Sequence, residues 1–136
     1  MEETYYDGYL TGLLNMASSL SDYIGPSYIK VNCYEKKNFK KEFSEIYKIN
    51  KEELNLIETE NSIETTLLDW FQDKKMVDSI TYWFNVTIRG DKKVYLAEDK
   101  LVNILDSKRN DFYSLDNLFF VECKKYMFVF LLGNNE

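Results

Sequence analysis

Residues 79–132 show the clearest strand-like pattern in the chain. Between residues 80 and 88, apolar side chains alternate with mostly polar ones, which is the two-residue period of a half-buried strand. The apolar positions are Ile80, Tyr82, Phe84, Val86 and Ile88. Gly90 follows in a polar turn and can adopt positive φ, and residues 94–97 are typical of a returning strand. The pattern therefore predicts a first β-hairpin.

A second pair of β-rich segments lies further along, at residues 117–123 and 126–132. Only Lys124 and Lys125 separate them, so a tight connection would pair them as a hairpin. The last segment is apolar on both faces, which a strand sustains only when both faces are covered. We therefore expect its strand to lie inside the sheet. With about seven residues against the roughly 20 that a bilayer requires, it is too short to span a membrane.

Helical spacing dominates the beginning of the chain. Apolar residues recur at this spacing over residues 8–24, with Asp7 as a candidate N-cap and Gly25-Pro26 as a stop signal. Residues 38–48 carry a second amphipathic stripe. Between these two predicted helices, residues 27–35 alternate like a strand with one solvated face.

Two capping boxes predict further helix starts. In each, an asparagine is followed three residues later by a glutamate, so that each side chain can bond the other residue's backbone amide. Asn50 and Glu53 form the first box, which predicts a short helix. Asn61 and Glu64 form the second, which predicts an amphipathic helix ending near Lys74.

This order of elements predicts the α+β class, with a largely antiparallel sheet of about five strands and helices packed mainly on one face. Residues 98–105 fit either a helical turn or a strand. A chain of 136 residues can bury a core without a metal or a disulfide, and no linker rich in Pro or Gly divides it. We therefore expect a single domain over residues 1–136.

Charge and cysteine content narrow the range of partners. The 23 acidic residues outnumber the 17 basic ones, which disfavours binding to nucleic-acid phosphates and favours a basic protein partner. The acidic start at Glu2 and Glu3 is unlike a secretory signal, which has a basic region before an apolar one. Cys33 and Cys123 are far apart in predicted strands. We expect a cytoplasmic protein without membrane contact, in which both thiols are reduced core residues.

The chain has little catalytic equipment. It contains no histidine and no glycine-rich phosphate loop, so nucleophile–histidine pairs, histidine zinc sites and nucleotide cradles are excluded. Glu98, Asp99 and Lys100 follow a predicted strand, as the acidic residue and lysine of PD-(D/E)xK nucleases do, and Asp91 or Asp78 would be the second metal ligand. We keep a metal-dependent hydrolase that uses Asp91, Glu98 and Lys100 as an alternative. The primary expectation is a protein without enzyme activity, cofactor or metal.

The strongest charge feature is the segment of residues 50–73, where seven acidic residues oppose only Lys51. Acidic side chains beside exposed aromatic rings suit a surface that covers a basic cleft, because charge speeds the encounter and rings anchor the contact. The candidate partner-binding residues are Glu52, Glu53, Glu58, Glu60, Glu64, Asp69 and Trp70.

These features predict a binding protein that blocks a basic site on another protein. An immunity protein that neutralises a nuclease-type toxin fits best, and a phage antagonist of a host nuclease would meet the same physical requirements. A scaffold or an oligomer subunit, with a strand edge pairing between copies, is a further possibility. The sequence does not define the oligomeric state.

Overall fold

A computed structural model describes residues 2–20, 28–71, 73–107 and 113–135. Within these ranges the helices are α1 (Glu2–Leu20), α2 (Phe39–Tyr47), α3 (Ile63–Phe71), α4 (Lys74–Thr87) and α5 (Asp99–Ser107). The strands are β1 (Tyr28–Glu35), β2 (Leu56–Glu58), β3 (Lys93–Ala97), β4 (Tyr113–Glu122) and β5 (Tyr126–Asn135). Two single turns of 3-10 helix, Lys36–Asn38 and Lys51–Glu53, precede α2 and β2.

The five strands form one antiparallel sheet in the order β1-β5-β4-β3-β2. The predicted second hairpin is confirmed, because β4 and β5 pair over most of their length and Glu122 lies opposite Met127. The Cys123 amide donates to the Tyr126 carbonyl at 2.8 Å and closes the turn. The structure thus places β5 inside the sheet, between β1 and β4, as its apolar sequence predicts.

Alternate side chains of β5 enter two different cores. Phe128, Phe130 and Leu132 point to a first core under α1, α3 and α4. Met127, Val129 and Leu131 point to a second core under α2 and α5. The α+β class is therefore confirmed, with three of the five described helices on one face and the other two covering the opposite face.

Residues 80–88 are almost entirely helical, so the predicted first hairpin is wrong. They belong to α4, which begins at an N-cap where the Asp73 carboxylate accepts the Met76 amide at 3.2 Å. Apolar residues here satisfy both the strand period and the helix period. The buried ones are Val77, Ile80, Phe84 and Ile88, whereas Tyr82, Trp83 and Val86 are exposed. The N-cap and the packing of these buried residues stabilise the helix. Residues 94–97 therefore have no partner strand at residues 80–88, and they pair with β2 and β4 as part of β3.

Other boundaries also differ from the predictions. Asp7 is not an N-cap, because α1 begins at Glu2 and Asp7 lies inside it. The predicted stop at Gly25-Pro26 lies outside the described residues. The box at Asn50 starts only a single 3-10 turn, and the unpredicted strand β2 follows it because these residues pair with β3. The second predicted helix is found as α3, which begins at Ile63 but ends at Phe71 rather than near Lys74. The reciprocal bonds at its start join Ser62 and Thr65, not the predicted Asn61 and Glu64.

Helix α1 covers the outer edge of β1 with polar side chains. The Thr11 hydroxyl accepts the Val31 amide at 2.9 Å and lies 3.1 Å from the Val31 carbonyl, to which it donates. One helical turn before Thr11, Asp7 accepts the Cys33 amide. One turn after Thr11, the side-chain amide of Asn15 donates to the Ile29 carbonyl at 3.2 Å. Backbone groups that an edge strand would otherwise expose are thus satisfied by a helix.

Both cysteines are buried, as predicted for core thiols, and no disulfide joins them. Burial raises the pKa of the Cys123 thiol to about 11, which keeps it protonated near neutral pH. Within the described ranges, no helix combines the length and the apolar character that crossing a bilayer requires.

Candidate partner-binding surface

The predicted acidic residues occupy one continuous stretch of chain at the β2 edge of the sheet and on α3. Glu52 and Glu53 lie in the 3-10 turn before β2, and Glu58 ends β2. Glu60 lies in the connection to α3, and Glu64 and Asp69 lie on α3 itself. The backbone of Trp70 is in α3, but its side chain lies outside what the structure describes.

Three of the six carboxylates have structural partners. Glu53 accepts the Asn50 backbone amide at 2.9 Å and completes the first capping box. Glu58 lies 3.6 Å from the Lys93 ammonium on the neighbouring strand. Glu64 lies 3.7 Å from the Lys74 ammonium. These contacts hold local structure and reduce the charge that these residues present to a partner.

Lys74 bridges two helices through its ammonium group. It lies 3.0 Å from Asp78 on its own helix, and it also contacts Glu64 on α3. The hydrogen bond to Asp78 raises the pKa of Lys74, and the same bond lowers the pKa of Asp78. All three groups are at the surface, so water screens the pair and its effect on stability is small.

The other three carboxylates, Glu52, Glu60 and Asp69, are exposed and form no ion pair with any residue that the structure describes. They are exposed to solvent at the β2 edge and on α3. These three residues are therefore the part of the predicted acidic surface that is available to a partner.

The residues of the alternative metal site do not converge. Asp91 precedes β3 and Glu98 follows it, so a strand of five residues, roughly 16 Å long, lies between them. Glu98 accepts a hydrogen bond from the Asn55 side chain at 2.8 Å, and Asp78 is on α4 beside Lys74. Among the described residues, no group of three or more histidine, cysteine or acidic side chains is arranged to hold a metal ion.

A second surface, which the sequence analysis missed, lies on the outer side of α4. Tyr82 is 61% exposed and Trp83 is 49% exposed, and their rings meet edge to face with centroids 5.4 Å apart. Val86 continues this exposed side. The signal was present in the sequence, because these three residues occupy one side of a helix whose other side is Val77, Ile80 and Phe84.

A groove of about 480 Å³ runs beside this surface, between α1 and α4. Its apolar walls come from Leu13 and Met16 on α1 and from Met76, Ile80 and Trp83 on α4, and its polar rim is Asp73, Lys75 and Ser79. Its volume is in the range of protein ligand sites. Met16 is 63% exposed, so the groove adds to the apolar surface around Trp83.

Comparisons of this chain with protein-family models, with curated proteins and with solved structures find no match.

Proposed function

We propose that this chain is a non-catalytic binding protein that occludes a basic site on a partner protein in the cytoplasm. An immunity protein that neutralises a nuclease-type toxin is the role that best fits this chemistry, since such a toxin needs a basic groove to hold its substrate's phosphates. The partner is blocked by steric cover and by charge complementarity, with no chemical step.

The observation that carries the proposal is three exposed carboxylates, Glu52, Glu60 and Asp69, which form no ion pair with any described residue. Each is exposed, and all three belong to one segment of chain with a single lysine. Complementary charge accelerates encounter and selects against acidic competitors. A net charge of −6 adds to this attraction over the whole molecule.

The test is inhibition of purified basic nuclease domains, with DNA or RNA cleavage measured as this protein is added. The variant Glu52→Lys, Glu60→Lys, Asp69→Lys should weaken inhibition of the cognate nuclease by at least about tenfold, since rim charges act mainly on the association rate. Raising salt from about 0.05 M to about 0.5 M should also weaken inhibition by the wild-type protein, because salt screens the attraction between charges.

A matched control separates this surface from net charge. Glu42, Glu45 and Asp91 are also exposed carboxylates, outside the proposed surface, and changing all three to Lys alters the net charge equally. The control variant should inhibit nearly as well as wild type. If both triple variants weakened inhibition equally, overall charge would explain the effect and the proposed surface would not. If the variant at Glu52, Glu60 and Asp69 inhibited as well as wild type, the proposal would be refuted.

A further inference from the structure

Helices α1 and α4 run antiparallel and form a groove that faces away from the sheet. At one end, Met16 of α1 shares the groove with Asp73 and Met76 at the start of α4. At the other end, Tyr6 of α1 lines a small cavity with Thr87 and Ile88 at the end of α4. From Asp73 to Trp83, the groove follows about three helical turns, a length of roughly 15 Å.

The residues along this groove have the character of a protein-binding surface. Binding hot spots are enriched in Trp and Tyr, and Met adapts to irregular apolar partners. Trp83 and Met16 line the groove and are about half exposed or more, and Tyr82 is exposed beside Trp83. The stacked rings of Tyr5 and Tyr9, with centroids 6.1 Å apart, continue the aromatic surface along α1. A contiguous apolar surface of this kind marks an interaction site.

Charge identifies the partner that fits this surface. Helices α1, α3 and α4 with the Asp73 cap carry seven acidic residues and two lysines, a net charge of −5. The helical layer on the opposite face, formed by the Lys36–Asn38 turn, α2 and α5, carries five lysines and four acidic residues, a net charge of +1. The helical layer that contains the groove is therefore the more acidic of the two, which favours a basic partner.

We propose that the groove between α1 and α4 binds a basic amphipathic helix of the partner protein. This proposal rests on the proposed function and adds to it the apolar anchor of the interface. A helix fits because a third helix packs into the channel between two others at 8–10 Å, with side chains at i, i+3 or i+4, and i+7 entering the groove. Its lysines and arginines face Asp73 at the rim.

Lys75 is the exception among the described residues that line the groove, because it places a positive charge on the rim. It is exposed, and no ion pair within the described part of the chain involves it. A basic helix would meet this charge with repulsion, so removing it should have the opposite effect to most substitutions: Lys75→Glu should strengthen binding.

The probe is a fluorescein-labelled peptide of about 18 residues, long enough to form a helix, with Leu on one face and Lys on the other. A matched peptide carries Glu in place of Lys. Fluorescence anisotropy gives the Kd of each with the full chain. We expect the basic peptide to bind at least tenfold more tightly than the acidic one and to weaken with salt.

Four variants locate the binding. Trp83→Ala and Met16→Asp should each raise the Kd of the basic peptide by at least about tenfold, whereas Ile46→Ala should leave it unchanged. Ile46 is a suitable control because it is 59% exposed on α2, on the opposite face. Lys75→Glu should lower the Kd about threefold. Circular dichroism of each variant confirms that it is folded.

The outcomes distinguish this proposal from the preceding one. Absence of peptide binding, or binding that ignores both Trp83 and Met16, overturns the groove as the docking site, while the triple charge variant still tests nuclease inhibition independently. A dimer seen by sedimentation and lost in Trp83→Ala would assign the groove to a second copy of this chain, which also overturns the proposal. Loss of peptide binding in the two groove variants, with Ile46→Ala unaffected, supports it.

Discussion

The two helical layers of this protein cover the same sheet, but they differ in what they present to solvent. Both bury aromatic side chains completely: Phe84 of α4 and Phe128 of β5 lie in the first core, and Phe43 of α2 and Phe120 of β4 lie in the second. The first layer is strongly acidic and exposes Tyr82, Trp83 and Met16, whereas the second is close to neutral and exposes one large apolar residue, Ile46. The requirements of the core are thus met twice, in similar ways.

This difference separates folding from function. A core needs apolar side chains of suitable volume, and both layers supply them. It does not need a half-exposed tryptophan or an excess of negative charge on one side, and charge segregation opposes folding through repulsion. The core does not require the features that distinguish the first layer, and these are the features on which the proposed contact with a partner depends.

The largest expected effects come from the two cores. Phe84→Ala and Phe43→Ala should each lower the free energy of unfolding by about 3–5 kcal/mol, because each removes a fully buried ring and leaves a cavity. Urea denaturation followed by circular dichroism measures both. If either substitution lowered the free energy of unfolding by less than about 1 kcal/mol, the two cores would not contribute equally to stability. The statement that both layers meet the same packing requirement would then be wrong.

A smaller effect is expected where α1 covers the sheet edge. Thr11→Val removes the hydroxyl that bonds both backbone groups of Val31 and should cost about 1–3 kcal/mol, since the buried partners are left unsatisfied. Thr11→Ser keeps the hydroxyl and is the control. Hydrogen exchange at the Val31 amide should accelerate in the first variant and much less in the second; equal exchange in both would contradict the role of the hydroxyl.

The smallest effect is a gain. Gly12 lies in α1 with open space where a side chain would begin, so Gly12→Ala should raise the free energy of unfolding by about 0.5–1 kcal/mol through helix propensity. Gly90 is the opposite case, because its φ of 102° is unfavourable for any other residue and Gly90→Ala should destabilise. Thermal unfolding of both variants, with shifts of opposite sign, checks the expectation.

The sequence predicted most of the fold where one periodicity was unambiguous. The alternation of Ile29, Val31 and Cys33 identified β1, and the two-sided apolar run identified β5 as an inner strand. The failure at residues 80–88 has a definite cause, since tyrosine and valine on the outer side of α4 imitate strand alternation. Strand β2 was missed because three residues carry too little pattern, and only pairing with β3 defines them.

The candidate surface was predicted in part. The acidic residues could be found by counting charges along the chain, but counting could not show that Glu53, Glu58 and Glu64 have local partners, because these depend on which residues the fold brings within reach. The groove beside Trp83 depended on the correct assignment of α4. A charge pattern can be seen within one segment of the sequence. A groove can be predicted only when both helices that form it, here α1 and α4, are assigned correctly.

The polar cover that α1 gives to β1 also limits how the sheet can grow. Aggregation into fibrils requires each molecule to offer two free sheet margins, one to accept a neighbour and one to continue the array. With the β1 side occupied by Asp7, Thr11 and Asn15, the open margins among the described strands lie on the opposite side of the sheet. They are the three residues of β2 and the part of β4 before Phe119, where Asp106 accepts the Leu115 amide. Copies that met there would stop at a pair, so this fold resists polymerisation by its own architecture.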